Sequence, residues 1–532
     1  MKIYTTVRPN KKNDTNKTQR NKQGRTILVC LAWLVLWQLL SMAVGSELLL
    51  PSPYESMAAL AELAVTGEFY MNVAWTMLRC IIAMALSLAA GSMAAWLASQ
   101  HESIRSFLKL PVSFFKAVPV MAVIIYVILL ASADKVAVIV CFIMCFPIVY
   151  TNMLSGLDSV SRDFLELGKL YGLTKRQLRR LIYFPSVRPN FNAAVRLVCG
   201  LSWKAVIAAE VLSIPKYSLG YEMLNAKYYL ETAELFAYIA VIVVISILFE
   251  KAVCGLLVRD GRLSLAPVRA RCADEKSADS PAARSSSAGA AGSSGSSPET
   301  ATGCAAAGGI LPPAVRLEHL YKSFEDKSVL DDLNLSLSSG RVTAVAGPSG
   351  RGKTTIARII AGLESADSGS VELEFPNAAE PACGEAKKSG TAVGNAVDAN
   401  SSVRISYLFQ EERLLPWLNV YDNMALARIN DAGCGLDGEI RSMAEALELS
   451  DALFSMPNEL SGGMKHRAAL GRTFLAESNL IILDEPFRGL DSELKERIIS
   501  RLWGKAIEGK TVLLISHNSE DCEKLAEEVI VI

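Results

Sequence analysis

The chain has 532 residues, with an apolar fraction of 51% and only 20% charged residues, too long for one ordinary domain and too apolar for a wholly water-soluble one. Its 54 basic and 54 acidic residues cancel, so no global field argues for a nucleic-acid partner. Eleven cysteines without a CxxC pair and only four histidines give neither a disulfide framework nor a zinc site.

The first 25 residues carry eight Lys or Arg against a single Asp14, and an apolar run follows. A basic arm in that position reads as a topology signal retained in the cytoplasm, and residues 1–26 are assigned to it. The run 27–45 exceeds the apolar core of a cleavable signal and is expected to be an uncleaved first helix. Further apolar stretches long enough to cross a bilayer lie at about 73–98, 111–130, 136–156, 191–213 and 234–257. Six spans, residues 27–260, predict an all-α transmembrane domain surrounded by membrane lipid. Segment 46–70 holds Glu47, Glu55, Glu62 and Glu68 but no Lys or Arg, whereas 157–186 is rich in both. The positive-inside rule then places both termini in the cytoplasm of a multi-pass protein of the cytoplasmic membrane.

Two cations fall inside predicted spans. Lys204, beside Trp203, is expected to pair with Glu210 or to snorkel toward the interface; facing a pathway, it would instead suit an anionic solute. Arg79 lies nearer the outer face, where an interfacial anchor accounts for it.

Residues 273–309 contain no large apolar or aromatic side chain, so 261–313 reads as a disordered tether with a root-mean-square span of roughly 30 Å. From 314 to 532 short β-rich runs alternate with helical periodicity, the mark of an α/β domain. Residues 376–402, rich in Ala, Gly, Asn and Ser, read as a surface insertion.

Within that domain Gly347, Pro348, Ser349, Gly350, Arg351, Gly352, Lys353, Thr354 and Thr355 follow a predicted strand and open a predicted helix, the context of a phosphate-cradling loop. Its glycines let backbone N–H groups close on the β- and γ-phosphates of ATP. Lys353 adds a point charge, and Thr354 offers a hydroxyl to Mg²⁺. A second strand, 480–483, ends in Asp484 and Glu485, the first placed to reach Mg²⁺ and the second to polarise the attacking water.

Leu460-Ser461-Gly462-Gly463-Met464 is the run that separates ATP-binding cassettes from other phosphate-loop enzymes, and 315–532 resembles an ATP-binding-cassette domain. The resemblance implies Gln410 as the loop glutamine and a Mg²⁺ contact, Asp491 in Gly489-Leu490-Asp491, and His517 as the switch histidine. It also implies two domains sandwiching two ATP molecules, each held by the phosphate loop of one and the Ser461, Gly462 and Gly463 of the other; Met464 replaces the commoner Gln. Phe324, taken to precede the first strand pair, is the candidate for stacking on adenine.

Between the fourth and fifth spans, Glu166, Gly172, Ile182 and Pro185 have a spacing similar to the coupling helix of binding-protein-dependent importers, here about 161–176. Leu167 and Gly168 depart from the two alanines usual after the glutamate. With the run from Phe409 to Trp417, this resembles the nitrate, sulfonate and taurine branch of the ABC importers, with a type I permease fold. The resemblance implies a homodimer that receives a small-molecule solute from a separate extracytoplasmic binding protein and moves it by alternating access. A half-size ABC exporter and an importer of a pyrimidine vitamin precursor are the alternatives. Exporters of that kind have long cytoplasmic helices, whereas the second-to-third loop here is barely a dozen residues.

Overall fold

The computed structural model describes the backbone of residues 11–258, 311–324, 327–348, 350–375, 403–430 and 435–532, with side chains from Arg25 onward except at 26, 27 and 30. The start of the basic arm, the tether up to residue 310, the 376–402 insertion and Ser349 lie outside the described residues. The chain divides into two compact units, Met1–Val160 with Ser186–Asp260, and Ser161–Pro185 with Gly261–Ile532.

In chain order the helices are α1 (Lys11–Val44), α2 (Pro53–Leu63), α3 (Gly67–Gln100), α4 (Glu102–Ala117), α5 (Val120–Leu130) and α6 (Ala133–Asp158). Next come α7 (Arg162–Leu170) and α8 (Lys175–Leu178) of the second unit, then α9 (Phe184–Ser213), α10 (Leu219–Tyr228) and α11 (Thr232–Leu257). Local signals set the ends. Ser52 caps α2 by accepting from Glu55 N, and Glu55 answers with its carboxylate on Ser52 N, a closed capping box with Pro53 in the first turn. In the middle of the unit α3 and α6 pack closely enough that a Cβ on Gly91 would lie 2.7 Å from Val149 Cβ, so only glycine fits there. Cys80, Ile124, Val140, Cys141 and Val195 are fully buried in the core around this contact.

Among the described residues, α3, α6 and α11 are long and apolar enough to cross a membrane, and α4 and α5 qualify together as a pair bent by 107°. The bend falls at Val118-Pro119, where proline disfavours helix in the residue before it. Two expected spans stand apart from these. The apolar part of α1, Leu31–Val44, is shorter, and α9 carries Arg196, Lys204 and Glu210 along the stretch expected to span.

The sequence reading of Arg79 and of Glu210 needs correction. Arg79 is 5% exposed and Glu210 is 0% exposed; the guanidinium donates to Glu210 Oε1 at 2.8 Å and to the Tyr217 carbonyl at 2.7 Å, with Asp134 at 3.2 Å. Glu210 Oε2 also accepts from Thr76 Oγ1 at 3.0 Å and Gly220 N at 3.3 Å. Arg79 is thus a buried ion-pair partner rather than an interfacial anchor, because Glu210 offers it what lipid headgroups would. Glu210 is committed there, which leaves Lys204 without the partner expected for it.

Among its described residues the second unit has two sheets. An antiparallel sheet has the order β2-β1-β4, from β1 (Ala314–Phe324), β2 (Lys327–Leu337) and β4 (Ser368–Glu374), where β3 is Val342–Ala346. The other is wholly parallel, β5-β6-β7-β3-β8, with β5 (Ile405–Leu408), β6 (Leu480–Asp484), β7 (Thr511–Ile515) and β8 (Glu528–Val531). β6 and β7 are buried along their whole length, as β-branched and leucine runs covered on both faces must be. The register Asp484↔Ile515 and Val345↔Ile515 brings the carboxyl ends of β6, β7 and β3 to one edge of the sheet. Ligands in open parallel sheets bind beyond such an edge.

Candidate nucleotide and coupling sites

The loop after β3 runs into the helix Lys353–Ile360. Gly347 has φ +151, and a Cβ there would stand 2.4 Å from the Ile532 carbonyl oxygen; Gly352 has φ +85, with Leu330 Cδ2 2.6 Å from where its Cβ would be. Both backbone positions exclude other residues. Lys353 Nζ donates to the carbonyls of Gly347 at 2.7 Å and Pro348 at 2.8 Å, so the loop folds round its own ammonium.

Thr354 Oγ1 donates to Asp484 Oδ2 at 2.9 Å, joining the phosphate loop to the end of β6. Asp484 is 2% exposed; burial pushes its carboxyl up to about 6, helped by the charge of Glu485 and opposed by Thr354 and Lys353. The hydroxyl and carboxylate are hard oxygen donors, the kind that with phosphate oxygens suits Mg²⁺. Glu485 adopts φ +53, unusual for a residue with a side chain, and its N–H is fixed on the Ile515 carbonyl at 2.9 Å. Its Oε1 lies 3.3 Å from His517 Nδ1, so the residue after β6 meets the residue just beyond β7. The exposed Gln410 follows β5, whose end is stiffened by Tyr407 and Phe409 stacking at 4.2 Å.

Ser461, Gly462 and Asp491 are exposed, and the polar groups of Ser461 and Asp491 serve their own helices. Ser461 caps Gly462–Leu475 by accepting from Met464 N at 3.4 Å, and Asp491 caps Ser492–Ile498 by accepting from Leu494 N at 2.8 Å. The Met464 substitution therefore leaves the cap intact, since only the backbone N–H is used. Gly463 packs toward the Gly489 carbonyl, 3.5 Å from where a Cβ would be. Arg351 and Thr355 are part of the loop, and among the described residues neither side chain makes a hydrogen bond. Phe324 is the last residue of β1, paired with Lys327 of β2, rather than preceding the strand pair, because the polar Lys322 and Ser323 carry the antiparallel ladder on to it through Lys322↔Leu330 and Ser323↔Ser328. It is 45% exposed under the Lys322 ammonium at 5.1 Å, which excludes a core role.

The segment 161–185 belongs to this unit although it lies between two apolar stretches in sequence. Ser161 caps α7, and Gly172, at φ +60, ends it: Leu173 N reaches back to Gly168 O at 2.9 Å, which closes the last turn. Leu167 is fully buried, and a Cβ on Gly168 would stand 2.6 Å from Leu178 Cδ1. The departures from two alanines are thus matched by packing of α7 against α8.

Glu166 is gripped from two sides. Arg358, from the phosphate-loop helix, donates to its Oε1 at 2.7 Å and its Oε2 at 3.2 Å; Arg413, three residues past Gln410, donates to Oε2 at 2.7 Å and also reaches Asp163 at 2.6 Å. Burial alone would raise the Glu166 carboxyl, but the two guanidiniums outweigh it and hold the group below the usual carboxylate range. Arg413 has φ +43, lies 3.9 Å over Phe409, and gives its carbonyl to the buried Arg472 at 2.9 Å. Trp417 Nε1 donates to the Leu181 carbonyl at 2.8 Å and its ring meets Phe164 edge-on at 5.6 Å. Asn430 donates to the Gly172 carbonyl at 3.1 Å and accepts from Gln177 at 2.9 Å. Sequence reasoning gave no role to Arg358, Arg413, Trp417, Asn430 or Arg472; the run from Phe409 to Trp417, which holds Arg413 and Trp417, was the available signal for those two.

Residues 330–488 match the family model described as ABC transporter, and residues 87–253 match that of the binding-protein-dependent transport system inner membrane component. Among known proteins, the chain is similar to the aliphatic sulfonates import ATP-binding protein SsuB of Delftia acidovorans, 37% identical over 229 residues, 42% of this chain and 80% of that protein. The aliphatic sulfonates import ATP-binding protein SsuB 2 of Streptomyces avermitilis is 35% identical over 231 residues, 42% of this chain and 78% of that one. A solved dimeric ATP-binding cassette in a post-hydrolysis state, bound to ADP and Pi, aligns with 24% identity and a TM-score of 0.35, covering 41% of this chain and 94% of that one.

Proposed function

Because the chain belongs to the ABC transporter family and carries both a membrane permease component and an ATP-hydrolysing domain, we propose that it imports a small anion, first among them a sulfonate, across the cytoplasmic membrane. ATP binding and hydrolysis coupled to transport are the activity of that family. The Glu166 grip carries the reading of an importer. It fastens the one segment with importer-type spacing onto both the phosphate-loop helix and the stretch after Gln410. The sulfonate names of the relatives support the anion.

In this account the backbone N–H groups of 347–355 and the Lys353 ammonium hold the phosphates, and Phe324 stacks on adenine. Thr354, Asp484 and Gln410 would hold Mg²⁺, which supplies charge neutralisation at the phosphates. Glu485 orients and takes the proton of the attacking water, and His517, 3.3 Å from its carboxylate, fixes its direction. Ser461, Gly462, Gly463 and Asp491 complete the nucleotide site of a second copy, so the working unit is a homodimer. Closure of the paired ATPases moves α7 as a rigid body through Glu166 and Gly172, and six spans respond by alternating access to solute brought by a separate binding protein. Both termini are cytoplasmic.

Release of labelled alkanesulfonate from proteoliposomes that hold the binding protein and the solute in the lumen, with the ATPase sites and ATP outside, tests the direction. Accumulation on the binding-protein side of the membrane would contradict import; ATP-dependent movement away from it is the expected result.

A further inference from the structure

Glu485 holds a backbone conformation that its own side chain and its neighbour oppose. Its φ is +53 and Pro486 follows it; a residue with a side chain avoids the left-handed region, and one before proline is pushed toward extended backbone. Such a conformation persists only where the surroundings over-determine it. Hydrogen bonds on both sides of the residue do so. Glu485 N–H donates to the Ile515 carbonyl at 2.9 Å, the Glu485 carbonyl accepts from Arg488 N at 3.2 Å, and the Pro486 carbonyl lies 2.9 Å from His466 Nε2. The first two are backbone to backbone. The last comes from a side chain, 2% exposed, one turn into the helix Gly462–Leu475. A carbonyl only accepts, so Nε2 carries the proton and donates. Burial lowers the ring's pKa, against the opposing pull of the Pro486 and Glu485 carbonyls, and keeps it neutral.

We propose that His466 is a positioning residue that holds Glu485 in its hydrolytic backbone conformation and ties that conformation to the second copy's nucleotide; the proposal rests on the reading of the working unit as a homodimer of ATPases. The tie runs through the helix. Ser461 caps it and Gly462 and Gly463 open it, the residues that complete the nucleotide site of the other copy in that reading. Helices carry displacements as rigid elements, so a shift imposed at Gly462 reaches His466, about 6 Å along the axis, and through it the Pro486 carbonyl. Near the far end of the same helix the buried Arg472 donates to the carbonyls of Glu412 at 3.0 Å and Arg413 at 2.9 Å, so the rod is also fastened to the stretch after Gln410. A nucleotide seated by one copy thereby sets the attitude of the general base in the other.

The test uses the full chain in phosphatidylcholine nanodiscs and two variants matched in length, His466→Met without a donor and His466→Gln with an amide N–H near the Nε2 position. In steady-state hydrolysis against ATP concentration, His466→Met should lose roughly tenfold in kcat, the ratio that one lost hydrogen bond is worth, while ATP affinity in a filter assay stays within about threefold. Its Hill coefficient should fall to about 1 from a wild-type value approaching the number of sites. His466→Gln should keep both the turnover, within about threefold, and the cooperativity. In the nucleotide-free chain, hydrogen exchange across residues 485–491 should quicken in His466→Met alone. If His466→Met does not fold, His466→Asn, whose amide is too short to reach the carbonyl, takes its place with the same expectations. Wild-type turnover and exchange in His466→Met would overturn the clamp and leave the homodimer standing. Equal losses in His466→Met and His466→Gln would also overturn it, by giving His466 a packing role only. A wild-type Hill coefficient of about 1 would remove the paired-site reading and the link between sites with it.

Discussion

Glu166→Gln removes the charge that two arginines share while keeping the side chain's size. The side chains of Glu166, Arg358 and Arg413 are 19%, 24% and 11% exposed, so the group is neither open to water nor fully buried. Breaking a buried pair by deleting one partner costs about 3–5 kcal/mol, and an exposed one about 0–1. The intermediate burial places this loss at about 2 kcal/mol, roughly thirtyfold in the population with α7 seated on the ATPase residues. Because the carboxyl is held below its ordinary value, its stabilisation is full above pH 4.5 and is lost only as pH falls through the lowered folded value. The assay is uptake per ATP hydrolysed in proteoliposomes. The variant should keep its basal ATPase rate and lose at least tenfold in uptake per ATP, and the wild-type ratio should stay flat from pH 7.5 to 5. An unchanged ratio in the variant, or a wild-type ratio that collapses by pH 5.5, would refute the reasoning.

Other outcomes follow from the same geometry. Glu485→Gln should bind ATP at near wild-type affinity in a filter assay while steady-state hydrolysis falls at least about a hundredfold, the usual size of a lost general base. Arg79→Met should lower unfolding stability by about 3–5 kcal/mol by stranding the buried Glu210, and the double variant with Glu210→Met should recover most of the loss in a thermal melt. Gly168→Ala places a Cβ 2.6 Å from Leu178 Cδ1, a flexible side-chain end, and should cost about 1 kcal/mol of stability and weaken uptake with hydrolysis retained.

The phosphate loop, the Asp484-Glu485 step and the α/β character of the second domain were legible because their information is local: a strand, a glycine-rich turn and a helix occur within twenty residues. Glu166 and Gly172 were legible as spacing. What they touch was not, because Glu166 meets Arg358 and Arg413 from 192 and 247 residues away, and nothing in either neighbourhood names the other. Arg79 was misread for the same reason, since its partner Glu210 is 131 residues off. A lone arginine in an apolar run gives no sign of whether it is anchored in headgroups or neutralised inside. Linear order also hid that 161–185 packs with the ATPase residues, because it sits between two apolar stretches. Phe324 was misplaced because its strand runs on through the polar Lys322 and Ser323, where no apolar alternation marks it.

ATP hydrolysis by the purified chain in lipid, measured with and without a sulfonate-binding protein across a panel of solutes, tests the central claim most directly. The account predicts stimulation only when binding protein and one anionic solute are present together. A high basal rate indifferent to any binding protein and raised by hydrophobic compounds would contradict import and point to export instead.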